Sequence, residues 1–378
     1  MKRFLAALLA ALGLMGTLSG CSLNLAASPE DLYTLPQLPA EYAELNHSIR
    51  QLIEAGAEYA APTAGTNLQP LQLVDLDGDG EEEALAFLRR GSDERALKIY
   101  IYERTESGYT QSAVIEGSGT AIYSVDYRDL DGDGRQEILV SWKVGPEVQA
   151  LSVFTLRLGT PRELMNSSYI RYAAADLDGD GREEILTFRA DEQGAGTADY
   201  YAWTGDGTLA PAGVARLSMT MAELSAGQVL SGTLRGGEPA VFATGVSDSR
   251  IQVTDVLALR QGELGNLTVS DSTGVSREIY RYLGLFPTDI DGDGVTELPV
   301  PQDLLPSGDT ESGCRIRWRS YDAAGTGEDA LSTYHALADG WYLTLPESWG
   351  DARSVRTEGA GSDASLASFG IGTGDGRI

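Results

Sequence analysis

Histidine is nearly absent from this chain, since His47 and His335 are the only two among 378 residues. They lie far apart in the sequence, and neither has beside it the acids or further ligands that a catalytic triad or a zinc site requires. The sequence also contains no Gly-x-Ser-x-Gly, no P-loop, and no Gly-x-Gly-x-x-Gly after a strand. These absences argue against an enzyme, and no catalytic residue is predicted.

Positive charge is scarce as well, with 28 Lys and Arg against 56 Asp and Glu and a formal net charge of −28. A surface of this sign repels the phosphates of nucleic acids and the headgroups of anionic lipids. We therefore expect no nucleic-acid partner. Any attachment to a membrane has to come from something other than surface charge.

The N-terminal apolar run falls short of the ~20 residues that a membrane-spanning helix needs. It covers residues 4–18, follows Lys2 and Arg3, and leads into Leu18-Ser19-Gly20-Cys21. This arrangement resembles the signal and lipobox of bacterial lipoproteins. The resemblance implies a signal peptide over 1–20, a lipid on Cys21, a tether over 21–38, and a cell-envelope location outside the cytoplasmic membrane. A retained membrane helix is the alternative.

Cysteine is limited to Cys21 and Cys314. With Cys21 acylated, Cys314 is left alone and no internal disulfide can form. A lone cysteine in a strand usually behaves as a small buried hydrophobe. We assign Cys314 no function and expect metal, rather than sulfur, to supply cross-links.

Aspartate is abundant, and much of it occurs in one repeated loop. Residues 75–83 read DLDGDGEEE, and the pattern returns at 129–137 (DLDGDGRQE), 176–184 (DLDGDGREE) and 289–297 (DIDGDGVTE). Each copy has carboxylates at loop positions 1, 3, 5 and 9 and glycine at positions 4 and 6. Converging hard oxygens around a tight turn suit Ca²⁺. Without a cation these acids repel one another.

Each loop therefore predicts one calcium site, about four ions in all. Position 7 varies freely, which suits a ligand that binds through its backbone carbonyl. The predicted ligands are Asp75, Asp77, Asp79, Glu81 and Glu83; Asp129, Asp131, Asp133, Arg135 and Glu137; Asp176, Asp178, Asp180, Arg182 and Glu184; and Asp289, Asp291, Asp293, Val295 and Glu297.

An EF-hand loop also begins D-x-D-x-D-G, but it requires an acid at position 12 and a helix after the loop. Here position 12 holds Ala86, Val140, Thr187 or Val300. Short apolar runs, which are typical of buried strands, lie on both sides of the loops. The pattern therefore predicts a loop between two strands and excludes an EF-hand.

A nine-residue D-x-D-x-D-G-x-x-E loop between strands resembles the FG-GAP/VCBS repeat, the blade of integrin α-chain-type β-propellers. The Phe-Gly and Gly-Ala-Pro signatures of that family are not evident. The resemblance implies that each loop links the first two strands of a blade and holds one Ca²⁺. It also implies that proteins or surface glycans bind on the face away from the metal loops.

The loops begin at 75, 129, 176 and 289, so the last interval is about two repeats long. Residues 236–242 mimic 81–87, which indicates a blade without metal; aligning Glu238 with Glu83 puts Leu230, Gly232 and Leu234 at the aspartate positions. Repeats near 50 residues are typical of propellers. We predict an all-β propeller of at least five blades over 66–346. The blades are expected near 66–117, 118–165, 166–217, 222–270 and 278–338.

Three further segments flank these blades. Apolar spacing predicts an amphipathic helix over 39–56, which either packs against the propeller rim or binds a partner. A strand over 340–346 either opens a sixth blade or closes the ring beside the N-terminal strands. The Gly- and Ser-rich tail over 351–378 is expected to be disordered or incomplete.

The sequence favours a lipid-anchored calcium-binding propeller that serves as a binding module, with the calcium in a structural role. A structural subunit of an envelope complex is one alternative. A carbohydrate-active enzyme is another, although function has to be argued from a site rather than from a fold.

Overall fold

The computed structural model describes residues 42–106, 108–146, 148–157, 159–270, 272–302, 314–337, 340–347, 354–360 and 364–370. The predicted signal peptide (1–20), lipidated Cys21 and tether (21–38) lie outside the described residues. Within the described ranges no helix has the length and apolar character needed to cross a membrane.

The described chain begins with helix α1 (Ala43–Glu54), whose buried residues are Leu45 and Ile49. These residues are four apart and therefore lie on one helical face. That face packs against Ala84, Tyr102 and neighbouring residues of the first sheet. The predicted helix over 39–56 thus lies against the sheets. The chain turns away from the helix at Gly56, which has φ +94°.

In the part of the chain that the structure describes, five antiparallel sheets of four or five strands follow one another. The first comprises β1 (Glu58–Tyr59), β2 (Leu71–Val74), β3 (Glu83–Arg89), β4 (Leu97–Thr105) and β5 (Gly108–Gly117). The second comprises β6 (Ala121–Arg128), β7 (Glu137–Lys143), β8 (Gln149–Arg157) and β9 (Thr160–Tyr169). The third comprises β10 (Arg171–Ala175), β11 (Glu184–Ala190), β12 (Gly196–Trp203) and β13 (Leu209–Arg216).

The remaining strands continue the same order. The fourth sheet comprises β14 (Gln228–Thr233), β15 (Pro239–Val246), β16 (Ile251–Arg260), β17 (Glu263–Asn266) and β18 (Ile279–Arg281). The fifth comprises β19 (Leu298–Gln302), β20 (Cys314–Tyr321), β21 (Gly327–Ala336) and β22 (Trp341–Leu345). A separate hairpin comprises β23 (Ser354–Ala360) and β24 (Ala364–Gly370).

Each sheet packs against the next one through a shared apolar core. Phe87 and Ile99 of the first sheet meet Val140 of the second, and Leu139 of the second meets Ile185 of the third. Equivalent clusters join the third sheet to the fourth and the fourth to the fifth. Because β3, β7 and β11 are covered on both faces, they are apolar almost throughout. Consecutive antiparallel sheets of four or five strands packed face to face are propeller blades, and the predicted all-β propeller fold is confirmed.

A short helix, α2 (Met221–Ser225), connects the third sheet to the fourth. Thr220 and Glu223 form a capping box at its start, each side chain accepting a hydrogen bond from the other residue's backbone amide. Met221 and Leu224 enter the same core as Leu186 and Val241. The connection is thereby fixed in the seam between these two blades.

The fourth blade differs from the predicted alignment. In the first blade, the two strands that flank the metal loop pair as far as Val74 opposite Glu83, which leaves eight residues between the strands. In the fourth blade Thr233 pairs with Pro239, leaving five. Leu230 and Gly232 therefore lie inside β14 rather than at loop positions, because the pairing of this hairpin continues further along both strands.

In the fifth blade the segment before the loop is reduced to a single bridge between Thr288 and Glu297. At the other edge, β22 pairs with β21, with Trp341 opposite Ala336. Among the described residues, the predicted strand at 340–346 therefore belongs to the fifth blade, rather than opening a sixth blade or pairing with the N-terminal strands. Gly340, which has φ +70°, donates its amide to the carbonyl oxygen of Ala336 at 2.9 Å, and β22 then runs antiparallel to β21.

The segment predicted as a disordered or incomplete tail contains the β23–β24 hairpin. Its register pairs Ser354 with Gly370 and Ala360 with Ala364. Composition alone underestimates such a hairpin, because its backbone hydrogen bonds join two strands that follow closely on one another in the chain.

Candidate metal centre

The first half of each loop is shaped by its first aspartate. The Asp75 carboxylate accepts hydrogen bonds from the amides of Gly78 at 2.8 Å and Gly80 at 3.0 Å. Both glycines have positive φ, +75° and +88°, a conformation that side chains disfavour. The chain therefore wraps around Asp75. The amide of the second glycine makes the same bond in the other loops, to Asp129, Asp176 and Asp289.

The last acid of each loop, the glutamate at position 9, accepts a hydrogen bond from the backbone amide of position 2. Glu83 is the first residue of β3, and its Oε2 accepts a hydrogen bond from the amide of Leu76 at 2.8 Å. The corresponding bonds are 3.0, 2.9 and 3.2 Å long in the later loops. All four glutamates are buried, and Glu137 is only 1 % exposed. A strand residue and a loop residue are thus tied together beside the aspartates.

Burial is the main influence on these glutamates. It raises the pKa of the Glu83 carboxyl to about 7, the Leu76 amide opposes this shift, and the charges of the nearby aspartates add to it. The pKa values of Glu137, Glu184 and Glu297 are raised to about 7, with burial again as the first cause. A carboxylate held in this way is costly to charge unless a cation lies beside it.

Three acids converge in every loop. One carboxylate oxygen from each of positions 1, 3 and 9 lies within 4.8 Å of the others. The four triads are Asp75, Asp77 and Glu83; Asp129, Asp131 and Glu137; Asp176, Asp178 and Glu184; and Asp289, Asp291 and Glu297. Twelve of the twenty predicted ligands are therefore brought together, and each triad could hold a metal ion.

The remaining predicted ligands lie outside the triads. The position 5 carboxylates of Asp79 and Asp133 accept hydrogen bonds from the amides of Glu81 and Arg135, at 2.8 and 3.0 Å. Asp180 and Asp293 do the same for Arg182 and Val295. These bonds position the backbone at loop position 7, where the carbonyl oxygen is predicted to bind the cation.

The donor set fits a hard divalent cation, because all the converging atoms are carboxylate oxygens. One further observation supports this fit. Asp129 Oδ1 is buried and has no hydrogen-bond partner, although buried polar atoms are normally paired. A cation at the second triad would supply the missing partner.

Arg157 is a site residue that the motif did not predict. It is the last residue of β8, and its guanidinium lies 3.3 Å from a carboxylate oxygen of Asp131 and 3.4 Å from one of Asp133. Arg157 lies 20 residues after the end of the loop, so no local sequence pattern links it to the metal site. Only the folded hairpin of β7 and β8 brings it back to the loop. Arg182 is different, because it pairs with Asp180 of its own loop.

The two histidines and Cys314 belong to none of the acidic triads found in the described residues. His335 is buried beside Tyr342 and contacts the Thr333 hydroxyl at 2.8 Å, and burial lowers its pKa. His47 lies on α1 and contacts Gln51. Cys314 is buried, which raises its thiol pKa to about 11. A thiol with so high a pKa is unreactive near neutrality.

Comparison with known proteins agrees with the loop geometry. Residues 75–140, which cover the first two loops and the strands between them, match the FG-GAP-like repeat family. The predicted resemblance to the FG-GAP repeat is thereby confirmed over residues 75–140. No curated protein matches the chain.

Among solved structures, a B. megaterium levansucrase mutant is similar at 10 % identity, covering 76 % of this chain and 87 % of that chain with a TM-score of 0.28. A Lactobacillus plantarum protein is similar at 11 % identity, covering 70 % and 81 % with a TM-score of 0.25. No functional conclusion follows from similarity at this level.

Proposed function

We propose that this protein is a calcium-binding β-propeller, anchored by lipid on the outside of the cytoplasmic membrane, that binds extracellular proteins or glycans. The observation that carries the calcium assignment is the repeated triad. Two aspartates of a turn and one buried glutamate of the following strand present oxygens to one point, and this happens four times.

The calcium would be structural. Each triad takes ligands from a loop and from the strand that follows it, so a cation there would tie the two strands of a blade together. Without a cation, the buried glutamate and the clustered aspartates repel one another. The ion would therefore stabilise the folded blade, as a ligand that binds only the native state must.

Calcium suits these loops better than magnesium does. Exposed, glycine-rich turns with several carboxylates can adjust to the six to eight oxygens that Ca²⁺ takes, whereas Mg²⁺ demands a rigid octahedron. Extracellular calcium modules bind with dissociation constants of about 10⁻⁴–10⁻³ M. Loops with four acids are expected at or below the lower end of this range.

The proposed location depends on the N-terminal sequence. Lys2 and Arg3, the apolar run over 4–18 and Cys21 form a lipoprotein-like signal. A net charge of −28 makes charge-driven membrane docking unfavourable, so the lipid on Cys21 would supply the attachment. Calcium is available at millimolar concentrations outside the cell, which is where such loops would fill.

The calcium role is tested by thermal unfolding of the chain from residue 22 onward. Unfolding is measured in millimolar Ca²⁺ and again after metal removal, with bound metal determined in parallel. We expect close to four ions per chain and a melting temperature that rises with Ca²⁺ concentration. An unchanged melting temperature with no bound metal would refute the proposal.

The binding role requires a separate test, in which the calcium-loaded protein is screened against a glycan array and against solubilised envelope proteins. Calcium-dependent capture of a glycan or a protein supports a recognition module. A permanent stoichiometric partner would instead indicate a subunit of an envelope complex. Release of sugar from a polysaccharide panel would indicate an enzyme.

A further inference from the structure

The first three metal loops are hydrogen-bonded to one another through their backbones. The amide of Gln136, in the second loop, donates to the carbonyl oxygen of Leu76, in the first, at 2.8 Å. The amide of Glu183, in the third loop, donates to the carbonyl oxygen of Leu130, in the second, at 2.7 Å. Loop position 8 of one blade is thus bonded to loop position 2 of the blade before it.

The same loops also approach one another closely at the glycine of loop position 4. A Cβ atom on Gly78 would lie 2.5 Å from the carbonyl oxygen of Gly134 in the next loop, and one on Gly132 would lie 3.1 Å from that of Gly181. In the first two loops, glycine at position 4 therefore serves two needs, which are the positive φ of the turn and the close contact with the next loop.

These contacts involve the residues that hold the ligands. Leu76 donates its amide to the Glu83 carboxylate and accepts the Gln136 amide at its carbonyl. Gln136 directly precedes Glu137, whose carboxylate in turn accepts the amide of Leu130. A continuous series of bonds therefore joins the glutamates of the first three triads.

The fourth loop stands apart from this series. Thr296, at its position 8, donates its amide to the carbonyl oxygen of Thr233 at 2.9 Å. Thr233 precedes the short turn of the fourth blade, which carries no acidic triad. Gly292, at position 4, has open space where a Cβ would be.

We propose that the loops at 75–83, 129–137 and 176–184 bind their cations cooperatively as one array, while the loop at 289–297 binds independently. This inference rests on the proposed calcium function. A cation bound in one loop would hold the position 2 residue of that loop in place. The position 8 amide of the next loop is bonded to this residue, so it is also ordered, together with the ligand glutamate that follows it. The next cation orders less backbone, so it binds more tightly.

Charge acts against this coupling, since a cation in one loop weakens the negative field felt by the next. The aspartates of these loops are exposed or half-buried, however, and screening of exposed charges at physiological salt acts over about 8 Å. We therefore expect the structural coupling to dominate at 0.15 M salt and the cooperativity to decrease as salt is lowered.

The test is a Ca²⁺ titration of the full chain in detergent at about physiological ionic strength. Binding at the first and third loops is followed by the amide resonances of Gly80 and Gly181, which donate to Asp75 and Asp176. Three ions are expected to bind with a Hill coefficient above one, and the fourth in a separate step. Four independent steps in the unmodified chain would overturn the coupling and leave calcium binding intact. Absence of bound calcium would overturn both.

Two matched ligand variants locate the coupling. Asp129→Asn and Asp289→Asn change the same position 1 acid, in the second and fourth loops. Asp129→Asn is expected to weaken binding at the first and third loops by at least about five-fold. Asp289→Asn should remove one ion and leave those two loops unchanged. Equal effects of the two variants would contradict the array.

A second pair removes the amide that joins neighbouring blades, together with the side chain of Gln136 or of Thr296, whose hydroxyl also accepts the Thr233 amide at 3.4 Å. Gln136→Pro deletes the bond to Leu76, and Thr296→Pro deletes the equivalent bond to Thr233, each next to a ligand glutamate. Both should lower stability, but only Gln136→Pro should uncouple the first loop from the second. Retained cooperativity in folded Gln136→Pro would show that this bond does not transmit it.

Discussion

Glu83 Oε2 accepts the amide of Leu76 at 2.8 Å, which joins the last acid of the first loop to its second residue. The carboxylate is thereby oriented toward Asp75 and Asp77 while it is withdrawn from water. Equivalent glutamates are 1 % exposed in the other loops. Each loop thus places one desolvated acid among partly exposed ones, and this arrangement determines how the protein should respond to metal, protons and mutation.

Replacing Glu137 by Gln should weaken calcium binding without lowering the stability of the metal-free protein. The amide keeps the size of the side chain but removes one ligand charge, so we expect at least about ten-fold weaker calcium binding at the second loop. In the metal-free protein the same change should leave the melting temperature equal or higher, because an uncompensated buried charge is lost. Calorimetric titration and thermal unfolding measure the two effects.

Glu192→Gln is the matched control, since Glu192 is exposed in a turn outside the loops. It should change neither quantity. A fall in the metal-free stability of Glu137→Gln, beyond that of the control, would mean that the charged carboxylate stabilises the fold without a cation.

The metal-free protein should lose stability as pH rises. The four loop glutamates have folded-state pKa values raised from 4.5 to about 7, with burial as the first cause. A raised folded pKa means that the stabilising contribution is complete below pH 4.5 and lost as pH rises through 7. Protein stripped of metal by a chelating resin should melt several degrees lower at pH 8 than at pH 5.

Added calcium should reverse this trend, since protons and cations compete for the same carboxylates. The stabilisation by Ca²⁺ should therefore be larger at pH 8 than at pH 5. A metal-free melting temperature that is level or rising between these pH values would show that the glutamates titrate as ordinary exposed acids.

Replacing Arg157 by Gln should strengthen calcium binding at the second loop. The guanidinium lies 3.3 and 3.4 Å from Asp131 and Asp133, so it competes with a cation for their charge. The side chain is 56 % exposed, and water screens the interaction, so an increase of only about two- to three-fold is expected. The gain should be greatest at low salt. Arg260→Gln, at the exposed end of β16, is the control, and weaker binding by Arg157→Gln would mean that the arginine positions the aspartates for the cation.

Replacing Leu186 by Ala should test the seam between the third and fourth blades. Leu186 is 0 % exposed and lies in the core shared with Val241, so truncation should cost about 2–5 kcal/mol of unfolding free energy. Urea unfolding in saturating calcium measures this cost. Leu68→Ala removes the same atoms from a residue that is 46 % exposed, and it should cost well under half as much. Similar losses for the two variants would argue against a continuous core between blades.

Local features of the protein are predictable from sequence because their causes lie within a few residues. Glycines at positions 4 and 6 and acids at 1, 3, 5 and 9 are enough to predict a tight acidic turn, and apolar runs such as that after Glu83 predict the buried strands. Repeat spacing near 50 residues then predicts blades, including one without acids. The triads at positions 1, 3 and 9 follow from the same local geometry.

Tertiary structure alone decided the relations between residues far apart in the chain. Arg157 reaches Asp131 because the second blade folds back on itself, and β22 joins the fifth blade because its edge pairs with β21. The bond from Gln136 to Leu76 spans two blades and depends on how their faces pack. Sequence determined where each acidic loop lies and which oxygens it offers, since a nine-residue turn is shaped by its own glycines and hydrogen bonds. Packing between blades determined which loops touch, because that depends on side chains in every strand.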